Sequence, residues 1–202
     1  MTRNVDFVRA WSGITLLAIP ALALAHVGQG DLQGGFLAGI RHPVSGLDHV
    51  IAMVAVGIWG AQLGAPALWL LPIIFPLVMA FGGALGAAGV PVPGIEIGIA
   101  LSAVALGGMV AFAARPPLWA AALLVGVFAI FHGHAHGAEL PANANAAAYS
   151  AGFVVATGSL HLSGILLGVA HRWRLGARLL RVAGSAIASG GCYFLVAHFP
   201  AA

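Results

Sequence analysis

The sequence predicts an all-α fold: a polytopic transmembrane helical bundle of six helices behind a cleavable N-terminal signal peptide. Three observations carry this. Hydrophobic residue types make up 61% of the 202 residues and charged types only 6%, whereas a soluble domain carries about a quarter charged residues. Apolar runs near the ~20 residues that a bilayer requires alternate with short breaks of Pro, Gly and Arg. The opening residues have the layout of a secretory leader. With a mean hydropathy of +1.02, nearly the whole chain would have to be core, which a soluble fold of this size cannot arrange.

The signal peptide is read over residues 1–25. Arg3 and Arg9 form a basic start, residues 11–22 an apolar stretch, and Ala23-Leu24-Ala25 an A-x-A cleavage pattern. Cleavage there leaves residues 26–202 as one six-helix transmembrane domain that begins with His26. The expected helices are 34–63, 66–89, 94–114, 117–138, 144–171 and 177–199. Their breaks are Gly64-Ala65-Pro66, Pro91-Val92-Pro93-Gly94, Arg115-Pro116-Pro117, Pro141-Ala142-Asn143 and the arginine-rich stretch 172–178. The first segment is long for one span, so its opening part is expected to form a separate interfacial turn ending near Pro43.

Arginine placement sets the expected orientation. With the mature N-terminus outside, Arg115, Arg172, Arg174, Arg178 and Arg181 fall on the cytoplasmic side and only Arg41 outside. Both termini are then periplasmic. The net charge of +3 does not imply nucleic acid, because the chain has no lysine and its arginines stand at segment ends. Cys192, the single cysteine, allows no internal disulfide and no thiolate cluster, and reads as a small buried residue. Gly82-Gly83-Ala84-Leu85-Gly86 and Gly184-Ser185-Ala186-Ile187-Ala188 read as small-residue faces for close helix approach.

Nine histidines in so apolar a chain are the main anomaly. In the first helix His42, His49 and Met53 share a face at spacings of seven and four, within ~40° of one another. Asp48 lies about 100° from His49, placed to orient it as a hydrogen-bond acceptor, or to ligate if the helix bends near Pro43 or Gly46. In the fourth helix His132, His136 and Glu139 share a face, with His134 on the opposite side. Imidazole and carboxylate at such spacing suit a divalent transition metal. The topology sets His42 level with His136 and Glu139, and His49 level with His132 about 10 Å deeper. Thr157 and His161, on one face of the fifth helix, form a deeper rung, and His171 stands at the cytoplasmic end.

Three blocks of sequence carry a resemblance. HPVSGLDH (42–49), FHGHAHGAE (131–139) and GFVVATGSLH (152–161) together resemble the HupE/UreJ family of bacterial membrane proteins, and the likeness runs over essentially the whole chain. It implies a bacterial inner membrane location and nickel uptake, with cobalt as the other candidate, serving hydrogenase or urease. It also implies metal handling by His42, Asp48, His49, His132, His136 and Glu139, and less directly by His161. His134 occupies a variable place in the motif.

The expected function is a secondary permease for Ni(II) or Co(II), not an enzyme. The metal is substrate rather than permanent cofactor, and the partners are the lipid bilayer and the ion, with a homo-oligomer left open. No G-x-x-x-x-G-K-[ST] motif is present for direct use of ATP. His26, with a free α-amine after cleavage, would chelate metal as a capture arm. The rival is a membrane-embedded zinc hydrolase built from the same His/Asp/Glu cluster; the absence of H-E-x-x-H and the spread of ligands over two depths speak against it.

Overall fold

A computed structural model describes residues 35–140 and 145–198. The expected leader, its expected cleavage site and His26 lie outside them. The described chain is helical: α1 (Phe36–Ser45), α2 (Leu47–Leu63), α3 (Ala67–Ala87), α4 (Ile95–Phe112), α5 (Leu118–Ala138), α6 (Ala146–Gly168), a single 3₁₀ turn (Val169–Arg172) and α7 (Arg174–His198). The helices α3 to α7 are each long and apolar enough to cross a membrane. The pair α1 and α2 makes a sixth span if its two parts count together.

Two boundaries differ from the sequence reading. The first segment is two helices meeting at 87°, and the break falls at Gly46, where the backbone is extended (φ −93°, ψ 113°). Pro43 lies inside α1 and does not end it. The last helix starts at Arg174, so the arginine-rich stretch is mostly its first turns. Gly64 (φ 80°) and Gly94 (φ 69°) take left-handed conformations next to α2 and α4, which glycine adopts without a Cβ clash.

The helices pack most extensively as α3 on α5, α4 on α7 and α2 on α6, with α1 also on α6. These contacts are made through glycine. A Cβ on Gly133 of α5 would fall on the Met79 carbonyl of α3, and one on Gly57 of α2 would fall on the His161 carbonyl of α6. Lipid tails are as apolar as leucine, so membrane helices associate by such close backbone approach rather than by hydrophobic expulsion. The two glycine-rich stretches singled out in the sequence are such faces: Gly82 meets Ile130 and Gly184 meets Gly107.

α2 is the central helix. Ala52, Met53, Ala55, Val56 and Trp59 are fully buried, and two of its side-chain donors are bonded inside the bundle: Trp59 Nε1 donates to the Ala114 carbonyl at 2.9 Å and Gln62 Nε2 to the Val110 carbonyl at 3.2 Å. The outer faces carry Leu77, Phe81, Trp119, Leu123, Leu166 and Val182, all exposed. An apolar exterior around a core that holds the histidines is the reverse of a soluble fold and suits a bilayer. Cys192 is exposed on α7 rather than buried, because it stands on the face of that helix turned from the bundle.

Candidate metal pathway

Two segments of chain supply the polar core. The bend at Gly46 sets the geometry of the first. On a straight helix His42 and His49 would be about 10 Å apart along the axis. With the turn, both reach His136 of α5: the ring centres of His42 and His136 are 4.6 Å apart, and those of His49 and His136 are 4.5 Å apart. His49 also meets His132 at 4.7 Å. The expected pairing of His42 with His136 and of His49 with His132 is present. The two rungs are nevertheless one continuous cluster, since His49 contacts both histidines of α5.

Exposure falls along it. The Glu139 side chain is 61% exposed and that of His42 25%, while His136 is 6% exposed and His132 fully buried. At the exposed end His42 Nε2 lies 3.1 Å from Glu139 Oε2. One donor atom from each of His42, His136 and Glu139 lies within 4.8 Å of the other two. Ligand atoms around a common ion with bonds of about 2.1 Å stand within about 4.2 Å of one another, so closure needs a shift of under about 1 Å. Glu139 caps α5 rather than continuing it, which lets its carboxylate swing toward His42. A cavity of about 290 Å³ between α3, α5 and α6 reaches the His136 ring, walled mainly by small and apolar residues such as Met79, Gly83 and Phe153.

Deeper in, hydrogen bonds fix the protons. His49 Nδ1 is 2.8 Å from Asp48 Oδ1, which also accepts the His49 backbone N–H at 2.8 Å. A carboxylate can only accept, so Nδ1 carries a proton, and in the neutral ring the lone pair is on Nε2. Asp48 thus takes the orienting place anticipated for it. His132 Nε2 is 2.8 Å from Ser102 Oγ of α4. That hydroxyl spends its one proton on the Ile99 carbonyl at 2.6 Å, so it accepts from His132 Nε2–H. The lone pair of His132 therefore sits on Nδ1. Each of these two histidines has its outward nitrogen fixed by a partner, the arrangement that orients metal-binding imidazoles.

The free ends are concentrated here. Among the described residues, the buried side-chain polar atoms without a hydrogen-bond partner belong to His49, His132, His136, Tyr149, Thr157 and His161, with Gln62 Oε1 the single exception. Each such atom costs about 1–3 kcal/mol if nothing ever meets it. They are concentrated around the histidines rather than scattered through the bundle.

His161 lies deeper in α6, 1% exposed, with Thr157 fully buried one turn away. His134 points elsewhere and donates from Nε2 to the Val90 carbonyl at 2.7 Å. His171 donates from Nδ1 to the Gly168 carbonyl at 2.8 Å and braces the 3₁₀ turn. Met53 is core. Sequence reasoning missed Ser102, Phe75 and Tyr149, whose ring is 5.9 Å from that of His42. A serine inside IEIGIALSAVALGG offers no periodic signal, and an aromatic in an apolar helix reads as packing.

Comparison with known proteins places the chain in a family. Residues 14–194 match the family model described as HupE / UreJ protein. The chain is 48% identical over 183 residues to Protein HupE of Rhizobium leguminosarum bv. viciae, covering 91% of this chain and 95% of that one. The chain belongs to the HupE/UreJ family. This is a family of bacterial membrane transporters, not enzymes, associated with nickel uptake for hydrogenase and urease. The zinc hydrolase reading therefore falls. No solved structure matches this chain.

Proposed function

We propose that this family member is a secondary permease that carries Ni(II) inward through the imidazole cluster. One observation supports this best: the part-buried His49 ring packs against the buried rings of both His132 and His136, all three with unpartnered ring nitrogens, under a more exposed His42–Glu139 pair. Ni(II) or Co(II) would exchange water for His42, His136 and Glu139, then move onto His49 and His132. Asp48 and Ser102 hold those rings with a lone pair available. Imidazole favours nickel, while copper and zinc compete by intrinsic affinity, so geometry and supply set selectivity. A negative-inside potential favours entry of a divalent ion by about 4–5 kcal/mol per 100 mV, and no nucleotide is needed. In this reading the leader is cleaved, both termini are periplasmic, and His26 captures metal; replacing His26 with Ala without altering cleavage should then weaken uptake at low nickel.

The test is uptake of radioactive nickel by cells lacking their own nickel importers, with wild type beside His49→Ala and His132→Ala at matched expression. Accumulation by wild type alone is the expected result. No accumulation by wild type, or equal accumulation by both variants, overturns the proposal. Competition by cobalt then ranks the two ions.

A further inference from the structure

Below the cluster the path meets an aromatic ring. Phe75 of α3 is fully buried, with its ring centre 5.5 Å from His132 and 5.2 Å from His161. It thus packs against both the imidazole cluster and the deeper histidine. Beyond it His161 offers two unpartnered ring nitrogens and Thr157 an unpartnered hydroxyl. The two residues are one turn apart on α6, so they lie one above the other. A third donor comes from the helix that carries Phe75. The Pro72 carbonyl would normally accept the N–H of residue 76, but residue 76 is proline and has none. That carbonyl lies beside the His161 ring, although neither ring nitrogen is in hydrogen-bond geometry.

We infer that His161, Thr157 and the Pro72 carbonyl form a second, inner station for a divalent cation, and that the Phe75 ring divides it from the outer imidazole cluster. The inference rests on the permease reading. The inner donors are one imidazole, one hydroxyl and one carbonyl, all uncharged and without a carboxylate. They hold a cation weakly, as a station on the way out of a pathway must. A bare apolar ring between two imidazole sites blocks a hydrated ion until it swings aside. The turn that carries it is short of helical hydrogen bonds: Pro72 and Pro76 both remove N–H donors around Phe75, and prolines are where helices bend.

The test uses the full chain with Cys192→Ser, so that Thr157→Cys is its one thiol. The rate at which a cationic, membrane-impermeant thiol reagent modifies it is measured in purified protein. With Phe75 in place modification is slow. Phe75→Ala should speed it by at least about tenfold and Phe75→Trp should not. Leu106→Ala, which opens an equally buried position on α4, serves as the cavity control; Phe75→Leu replaces Phe75→Ala if the latter does not fold. Equal rates with and without the ring, or equal acceleration by Leu106→Ala, overturn the partition. In nickel uptake, Thr157→Val should lower the rate about tenfold while the tightest nickel site of the purified protein, at the outer cluster, is retained. Wild-type uptake by Thr157→Val overturns the inner station. If wild type itself takes up no nickel, the permease reading fails and the inner station with it, whereas the thiol rates still decide whether Phe75 is a partition.

Discussion

The two histidine motifs reach the same place by opposite means. HPVSGLDH breaks at Gly46 and turns through 87°; FHGHAHG stays a straight helix to Ala138. In the bent motif the orienting partner is the next residue in sequence, Asp48 for His49. In the straight one it is Ser102, thirty residues away on α4. One motif is thus a self-contained device and the other depends on the packing of the bundle. The bend gathers histidines seven residues apart onto one neighbour, whereas the straight helix spaces its own a turn apart. Together, a compact group facing an extended one gives a chain of overlapping ring contacts.

The largest effect should come from removing the residue that joins the two motifs. His136 contacts both His42 and His49, so His136→Ala should reduce nickel uptake by more than the about 10–100-fold typical of losing an orienting partner. Retention of a tenth of wild-type uptake would mean that the motifs do not need a common imidazole. Next is the dependence of the straight motif on packing. Gly133 and Gly126 stand on the same helix, but a Cβ on Gly133 would strike the Met79 carbonyl, while the nearest atom to one on Gly126 is a Val78 methyl at 3.9 Å. Gly133→Ala should therefore lower thermal stability markedly in detergent, by several degrees or more, and Gly126→Ala should not. Equal melting temperatures would show that α3 and α5 have room to separate.

This contrast also explains what the sequence revealed. The helix count and the shared faces of His132 and His136 follow from composition and a 3.6-residue period, which are local properties. The acceptor role of Asp48 was legible because it adjoins its histidine. The bend was only half legible: Pro43 attracted attention, yet it lies within the last turn of α1 without ending it, and the extended residue is Gly46, three positions on. Ser102 and Phe75 were not legible, since their roles come from helices that meet only in three dimensions. Cys192 was misread for a related reason. In a membrane protein an apolar run does not say which face is buried, because the exposed face is apolar too.

The orienting partners should rank by charge. Asp48→Ala removes an anionic acceptor from His49 and should cost about 10–100-fold in nickel affinity. Ser102→Ala removes a neutral acceptor and leaves the buried His132 Nε2–H unpaired at a cost of about 1–3 kcal/mol. It should weaken affinity toward the lower end of that range, about tenfold. Isothermal titration of both variants tests the order. A larger loss for Ser102→Ala would mean that His132, not His49, is the dominant ligand.

The smallest effect, and the sharpest test of the bent motif as a self-contained device, is Gly46→Ala. The Gly46 backbone angles suit any residue, so the bend itself does not demand glycine. What a methyl there would meet is the Asp48 carboxylate at 2.8 Å and His49 Nδ1 at 3.1 Å. Both are side-chain atoms that can yield, so global stability should change by less than about 1 kcal/mol. Their yielding, however, separates the pair that fixes the His49 proton, so nickel affinity should drop by a few-fold, below the about tenfold of losing a partner outright. Asp48→Ala with Gly46→Ala should then be no worse than Asp48→Ala alone, since both act through one hydrogen bond. Additive losses would mean that the glycine serves the bend rather than the histidine, and that the first motif, like the second, depends on the shape of its helix.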